Sequence, residues 1–126
     1  MYKNTQTQGD AGLGQAIAYF TRFGCTVALP LTDSQDYDLI VEMQGELKKV
    51  QVKTGTKYNG NVPLIYCATS GGNKSGTGKV KTIQEQGWDF LYCHHLTENV
   101  SYLIPKDKIT TKDQLCLGKK YKEFLV

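Results

Sequence analysis

The chain has 126 residues, 40% of them hydrophobic, and a formal net charge of +3 at neutral pH. These values exclude a disordered chain and predict a single domain with a buried core over residues 9–126. Apolar runs are too short to cross a membrane, no signal-peptide block opens the chain, and the cysteines form no Cys-x-x-Cys pair. We therefore expect a cytoplasmic protein without a membrane partner, with reduced thiols at Cys25, Cys67, Cys93 and Cys116.

The N-terminal segment predicts a tail followed by an amphipathic helix. Residues 1–8 are polar and predict a flexible tail. Gly9-Asp10-Ala11-Gly12 then favours a helix start, with Asp10 as the N-cap. Leu13, Ile17 and Phe20 recur at the spacing of one helical face, so this helix is expected to pack on the core.

The segment from Asp38 to Lys53 predicts a β-hairpin. Two alternating runs flank residues 44–46, a turn signal. A two-residue turn at positions 44–45 puts Asp38 opposite Gln51, whereas a turn at positions 45–46 puts it opposite Lys53. A three-residue turn would set Asp38 opposite Val52 and require a bulge to restore the site.

The polar side chains of this hairpin fit a metal-assisted hydrolytic site. Asp38 offers a carboxylate, Gln51 an amide oxygen and Val52 a main-chain carbonyl, which are oxygen ligands of the kind that Mg²⁺ binds. Lys53 would stabilise charge on a phosphate or orient a water rather than act as a general base. Asp36 is the alternative acid, but Asp38 leads directly into the strand and has the better spacing. A strand-edge acid paired with a lysine is the structural alternative.

The segments on either side of the hairpin predict the rest of an α/β or α+β domain, with a mixed central sheet flanked by helices. The predicted elements are strands at residues 25–30, 64–69, 88–95 and 100–104, a short helix at residues 83–86 and a helix at residues 110–117. Residues 124–126 favour a last strand or an oligomer contact.

Basic and aromatic residues are candidates for contact with a DNA backbone. They are Lys57, Tyr58, Lys74, Lys79 and Lys81. The glycine-rich segment 70–79 is not a Walker A motif, because its spacing to Lys79 is wrong. Its glycines would still let main-chain N–H groups approach a phosphate. A loop without a ligand, lysines kept for solubility and a Tyr58 packed at the rim explain the same residues without DNA.

The pattern Asp-x12-Gln-x-Lys on an antiparallel hairpin resembles the active-site signature of the PD-(D/E)XK nuclease superfamily, in its Gln-x-Lys variant. A wider pattern resembles the small members related to group I intron homing endonucleases. Its residues are Gly9-Asp10, Ala16-Ile17-Ala18, Gly24, Pro30, Tyr37-Asp38-Leu39 and Val50-Gln51-Val52-Lys53-Thr54.

This resemblance covers roughly Gly9 to Ile109 and implies a restriction-endonuclease-like core. It implies a Mg²⁺-dependent DNA endonuclease, with Mn²⁺ as a possible alternative to Mg²⁺, that is nucleoid-associated if prokaryotic. Because 126 residues offer little surface for reading a long site, specific double-strand cleavage would require a homodimer or homotetramer. The superfamily often has a Glu in the first helix, but Leu13 stands there. Asp10, Gln15 or no residue at all would then complete the metal shell.

Two further functions share this pattern. Because the helix Glu is absent and Gln51 stands in place of an acid, the fold could serve as a DNA-binding module that is weakly active or inactive. A resolvase of branched DNA would use the same chemistry on a four-way junction. The residues indicate neither a target sequence nor a choice among homing, restriction and resolvase roles.

Overall fold

The computed structural model describes residues 4–68 and 80–126. Within these ranges, one α-helix, α1, spans Thr5–Arg22, and short 3-10 helices span Ile83–Glu85, Lys106–Lys108 and Lys119–Phe124. The strands are β1 (Val27–Ala28), β2 (Leu39–Met43), β3 (Glu46–Gly55), β4 (Tyr58–Asn59), β5 (Val62–Tyr66), β6 (Phe90–His95), β7 (Val100–Pro105) and β8 (Gln114–Cys116). None of the described helices is long and apolar enough to span a bilayer.

Helix α1 begins at Thr5, so the prediction of a flexible tail is wrong for residues 5–8. The Asn4 side chain accepts a hydrogen bond from the Thr7 N–H at 3.0 Å, and the Thr7 hydroxyl accepts one from the Asn4 N–H at 3.2 Å. This reciprocal capping box satisfies two N–H groups that a helix start leaves free. Asp10 therefore lies inside the helix and is not its N-cap.

The hairpin of β2 and β3 has the two-residue turn that pairs Asp38 with Gln51. Gln44 and Gly45 have φ values of 53° and 81°, as a tight hairpin turn requires of both central residues. Leu39 pairs with Val50 in the antiparallel ladder. Continuing this register by one residue sets Asp38 opposite Gln51, which confirms the first of the three predicted alignments.

The central sheet is mixed, as predicted, with strand order β1-β2-β3-β6-β7. β3 and β6 are parallel, and the other neighbours are antiparallel. A second sheet with order β4-β5-β8 lies against β3 at Gly55. A Cβ at Gly55 would lie 2.7 Å from the Leu64 oxygen, so glycine permits this close approach.

Two apolar layers cover the faces of the central sheet. On one face, Ala16 and Phe20 of α1 pack on Leu39, Val41 and Val50. The other face packs against the second sheet and the 3-10 helices, in a cluster that includes Ile65, Trp88, Leu91, Ile104 and Leu115. Because side chains alternate along a strand, Gln51 and Lys53 point away from the α1 face that Val50 occupies.

The helix predicted over residues 110–117 is wrong. This segment contains β8, in which Leu115 pairs with Ile65 of β5. Leu115 and Leu117 are both buried, a spacing of two that fits a strand. At the C-terminus, Leu125 forms an isolated antiparallel bridge with Tyr102.

Candidate active site

Asp38 immediately precedes β2. Here β3 extends beyond its last pair with β2, so the edge of β3 that faced β2 is open. Its N–H donates to the Val50 oxygen at 2.9 Å, and its carboxylate Oδ2 accepts from the Val52 N–H at 2.8 Å. The other edge of β3 pairs with β6 as far as Gly55. Because the N–H and C=O of a strand residue point to the same edge, the Val52 carbonyl lies on the open edge beside Asp38.

The Gln51 amide touches two oxygen acceptors. One of its terminal atoms lies 2.9 Å from Asp38 Oδ2 and 2.7 Å from the main-chain oxygen of Asp36. Without a cation this atom is the amide nitrogen, which donates to both oxygens. If the amide turned over, Oε1 would face the same two oxygens, an arrangement that a cation between them would stabilise.

Lys53 follows Gln51 on the same face of β3 and is half-buried. Desolvation raises the pKa of Asp38 above its ordinary value, and the Val52 N–H and the Lys53 charge oppose that rise without cancelling it. Burial raises the pKa of the nearby Cys67 thiol to about 12, although the Lys53 charge acts in the opposite direction. Cys67 is therefore a neutral neighbour of the site rather than a nucleophile.

Asp36, the alternative acid, is held in a different environment. Its Oδ2 accepts from the Gly87 N–H at 2.9 Å and from the Lys81 ammonium at 3.0 Å, and its side chain is 8% exposed. Desolvation opposes ionisation, but the Gly87 and Lys81 contacts outweigh it and hold the pKa of Asp36 below its ordinary value. Its buried Oδ1 has no hydrogen-bond partner among the described residues. The structure thus places Lys81, a predicted DNA contact, against Asp36.

The first helix presents Leu13 and Asp10 to the site. Both line a cavity of about 230 Å³ whose wall also includes Asp38 and Val52. Gln15 lines a different cavity, whose wall also includes Arg22 and His94. Of the two proposed substitutes for the helix Glu, the structure therefore brings only Asp10 near the site.

The remaining predicted DNA contacts lie along the continuation of β3 or outside the described ranges. The Lys57 side chain is exposed. The Tyr58 hydroxyl donates to Glu98 Oε2 at 2.5 Å, and its ring meets the His95 ring edge-on at a centroid distance of 5.0 Å. Tyr58 is thus anchored to the protein. Lys74 and Lys79 lie outside the described residues.

The oxygen atoms near Asp38 could hold a metal ion around one carboxylate. Asp38, the Gln51 amide and the main-chain oxygens of Asp36 and Val52 are hard donors that suit Mg²⁺ or Mn²⁺. In the described part of the chain, no group of three or more His, Cys, Asp or Glu side chains could hold a metal. The sequence did not reveal the Asp36 carbonyl, because a main-chain oxygen leaves no residue-type signal.

A family described as PD-(D/E)XK endonuclease matches residues 3–120. The chain belongs to this family. It is also 28% identical over 107 residues to Protein 5.3 of Escherichia phage T7, covering 84% of this chain and 85% of that protein. The fold is similar to that of the bacterial homing endonuclease I-Ssp6803I, with a TM-score of 0.69 and 22% identity over 97% of this chain and 86% of that one. The predicted superfamily and core are thereby confirmed.

Proposed function

We propose that this PD-(D/E)XK endonuclease cuts DNA with a divalent metal ion bound at the open end of the β2–β3 hairpin, beside Asp38 and Gln51. The observation that carries the proposal is the contact of the Gln51 amide with Asp38 Oδ2 and the Asp36 oxygen, at 2.9 and 2.7 Å. These groups come from two separate segments and meet at the open edge of β3.

Different residues of the chain would bind the metal ion and stabilise charge during phosphodiester hydrolysis. Asp38, Gln51 and the Val52 carbonyl would hold Mg²⁺ or Mn²⁺, with Asp10 as a further candidate from the cavity wall. When bound, the ion polarises a phosphoryl oxygen and makes water a stronger nucleophile. Lys53, on the same face as Gln51, neutralises negative charge as it develops on the phosphate.

DNA is the proposed substrate, and four lysines and one tyrosine would contact its backbone. They are Lys57, Lys74, Lys79, Lys81 and Tyr58. A homing-like or restriction-like role is supported by the fold shared with a homing endonuclease. Because one small domain covers little DNA, double-strand cleavage at a specific site would require a homodimer or homotetramer.

A second candidate is a family member that binds DNA without cutting it. It is favoured by the ligand set, since Leu13 lies at the cavity wall and Asp38 is the one carboxylate at the Gln51 contact. A cation held by one carboxylate and neutral oxygens would bind more weakly than one held by several carboxylates. A branched-DNA resolvase would share the same site and differ in substrate.

Cleavage assays on plasmid DNA and on a four-way junction, in Mg²⁺, Mn²⁺ or EDTA, test these alternatives. We expect metal-dependent cutting that Lys53→Ala reduces about 10²- to 10³-fold. Lys48→Ala is the matched control, because Lys48 pairs with Glu46 near the hairpin turn. Cutting that survives both Asp38→Asn and Lys53→Ala would refute the site. Binding without cutting would favour the second candidate, and preference for the junction would indicate a resolvase.

A further inference from the structure

We infer that the main-chain carbonyl of Asp36 is an additional ligand of the proposed cation, and that the Asp36 side chain acts as its positioning group. This inference rests on the proposed metal site. It would add a main-chain oxygen beside the Gln51 amide, on the face of β3 that points away from α1.

The distances from the Gln51 amide to the two oxygens suit hydrogen bonds as the site stands, and they would also suit a shared cation if the amide turned over. Mg²⁺ holds oxygen ligands at about 2.0–2.1 Å in octahedral geometry, so neighbouring ligands lie about 2.9 Å apart. The Gln51 terminal atom is 2.9 Å from Asp38 Oδ2 and 2.7 Å from the Asp36 oxygen. With the amide oxygen turned inward, these two separations match the edges of one coordination shell.

The Asp36 carbonyl is also held more firmly than a carbonyl in an ordinary loop. The side chain of the same residue is buried and bonded to the Gly87 N–H and to Lys81, which are 51 and 45 positions away in the chain. These contacts fix the segment that leads into Asp38. Groups that orient a metal ligand from outside the shell commonly change metal affinity by about 10- to 100-fold.

The Gln51 amide links the two states of this site. Its nitrogen donates to Asp36 and Asp38 when no cation is present, and its oxygen would face both when a cation binds. Metal binding would therefore replace the two hydrogen bonds of the Gln51 amide by three ligand contacts, one each from Gln51 Oε1, Asp38 Oδ2 and the Asp36 carbonyl. The Asp36 peptide and the Gln51 side chain should respond to the same titration.

Selective isotope labelling can observe this carbonyl directly. Asp36-Tyr37 is the one Asp-Tyr pair in the sequence, so ¹³C′-aspartate with ¹⁵N-tyrosine gives a single carbonyl–amide correlation. We expect this signal to move on Mg²⁺ addition together with the Gln51 side-chain amide, which Gln51→Ala identifies. The matched control is the one Asp-Lys pair, Asp107-Lys108, observed with ¹⁵N-lysine and expected to stay in place.

The outcomes separate this inference from the proposed function. If the Gln51 amide moves while the Asp36 carbonyl does not, the metal site stands and the inference is refuted. If neither signal moves at millimolar Mg²⁺, the metal site itself is refuted and the inference with it.

A pair of lysine variants tests the positioning role. Lys81→Met removes the ion pair at Asp36, whereas Lys48→Met removes the ion pair at Glu46 near the turn. Calorimetric titration with Mn²⁺ should show about 10-fold weaker binding for Lys81→Met and no change for Lys48→Met. The Asp36 carbonyl signal of Lys81→Met should require correspondingly more Mg²⁺. Equal Mn²⁺ affinity in both variants would refute the positioning role.

Discussion

The Asp38 carboxylate accepts a hydrogen bond from the Val52 N–H at 2.8 Å, just beyond the last pair of the β2–β3 ladder. A side chain thus takes the place that a main-chain carbonyl would occupy if β2 continued. This contact keeps the carboxylate at the open edge of β3, within reach of the Gln51 amide. It also partly removes the carboxylate from water, which has consequences for stability.

Asp38→Asn is expected to abolish cleavage without lowering the thermal stability of the protein. Desolvation raises the pKa of Asp38, so the folded state disfavours the ionised form relative to the unfolded chain. This penalty is present at pH values above the raised pKa, and an asparagine removes it while its oxygen still accepts from Val52. Thermal unfolding at pH 7 should give a Tm equal to or above that of the wild type. A clear fall in Tm would contradict the assignment of desolvation as the dominant cause.

Gly12→Ala is expected to destabilise the fold by about 1–3 kcal/mol through overpacking. An added Cβ would lie 2.1 Å from Thr54 Cγ2, where α1 crosses β3. Gly14 is the matched control, because a Cβ there meets no atom within 4 Å, and Gly14→Ala should stabilise by up to about 1 kcal/mol. Thr54→Ser removes the clashing methyl group and should rescue Gly12→Ala in denaturant unfolding. Failure of that rescue would show that the close approach involves more than this methyl.

Stability should fall as the pH drops below about 6.5 because of His94. Burial lowers the pKa of His94, with the His95 charge as a smaller cause, and its Nδ1 lies 2.6 Å from Ser101 Oγ. The unfolded chain therefore binds a proton in a pH range where the folded chain does not, and each pH unit in that range costs at most about 1.4 kcal/mol.

The measurement for His94 is urea unfolding between pH 5 and pH 7. The wild type should lose free energy of unfolding towards pH 5, and His94→Gln should show a flatter profile. Parallel profiles for the two proteins would assign the pH dependence to other groups.

Lys57→Ala is expected to weaken DNA binding and to reduce its salt dependence. One lost phosphate contact lowers the slope of log K against log salt by about 1. Lys48→Ala should leave this slope unchanged, because Lys48 is paired with Glu46. Fluorescence anisotropy at several salt concentrations measures the slope, and equal slopes for both variants would exclude Lys57 from the DNA interface.

The hairpin could be predicted from the sequence because all its determinants are local. Alternation sorts the polar side chains onto one face, and Gln44-Gly45 accepts the positive φ values of a tight turn. The start of α1 was also encoded locally, in Asn4-x-x-Thr7, but Gly9 and Asp10 offered a competing start signal. The capping box prevailed because it satisfies two N–H groups at once.

Other features depend on residues that are far apart in the chain. β8 exists because Leu115 reaches Ile65 of β5, and without that partner a short apolar run is ambiguous between helix and strand. Asp36 binds Gly87 and Lys81, which no spacing rule connects. The sequence therefore predicted Asp38, Gln51 and Lys53 as active-site candidates. It did not predict the contacts of Asp36 that hold the segment before Asp38 in place.

The two-residue turn at positions 44–45 also limits how this hairpin can be altered. If the hairpin kept a two-residue turn, inserting one residue there would shift β2 by one step against β3 and set Asp38 opposite aliphatic Val52 instead of Gln51. The mutant would still contain Asp38, Gln51 and Lys53, and each strand would still alternate apolar and polar residues. The turn is far from Asp38 and could look safe to change. Libraries that vary loop lengths to obtain new substrates should nevertheless keep two residues in this turn.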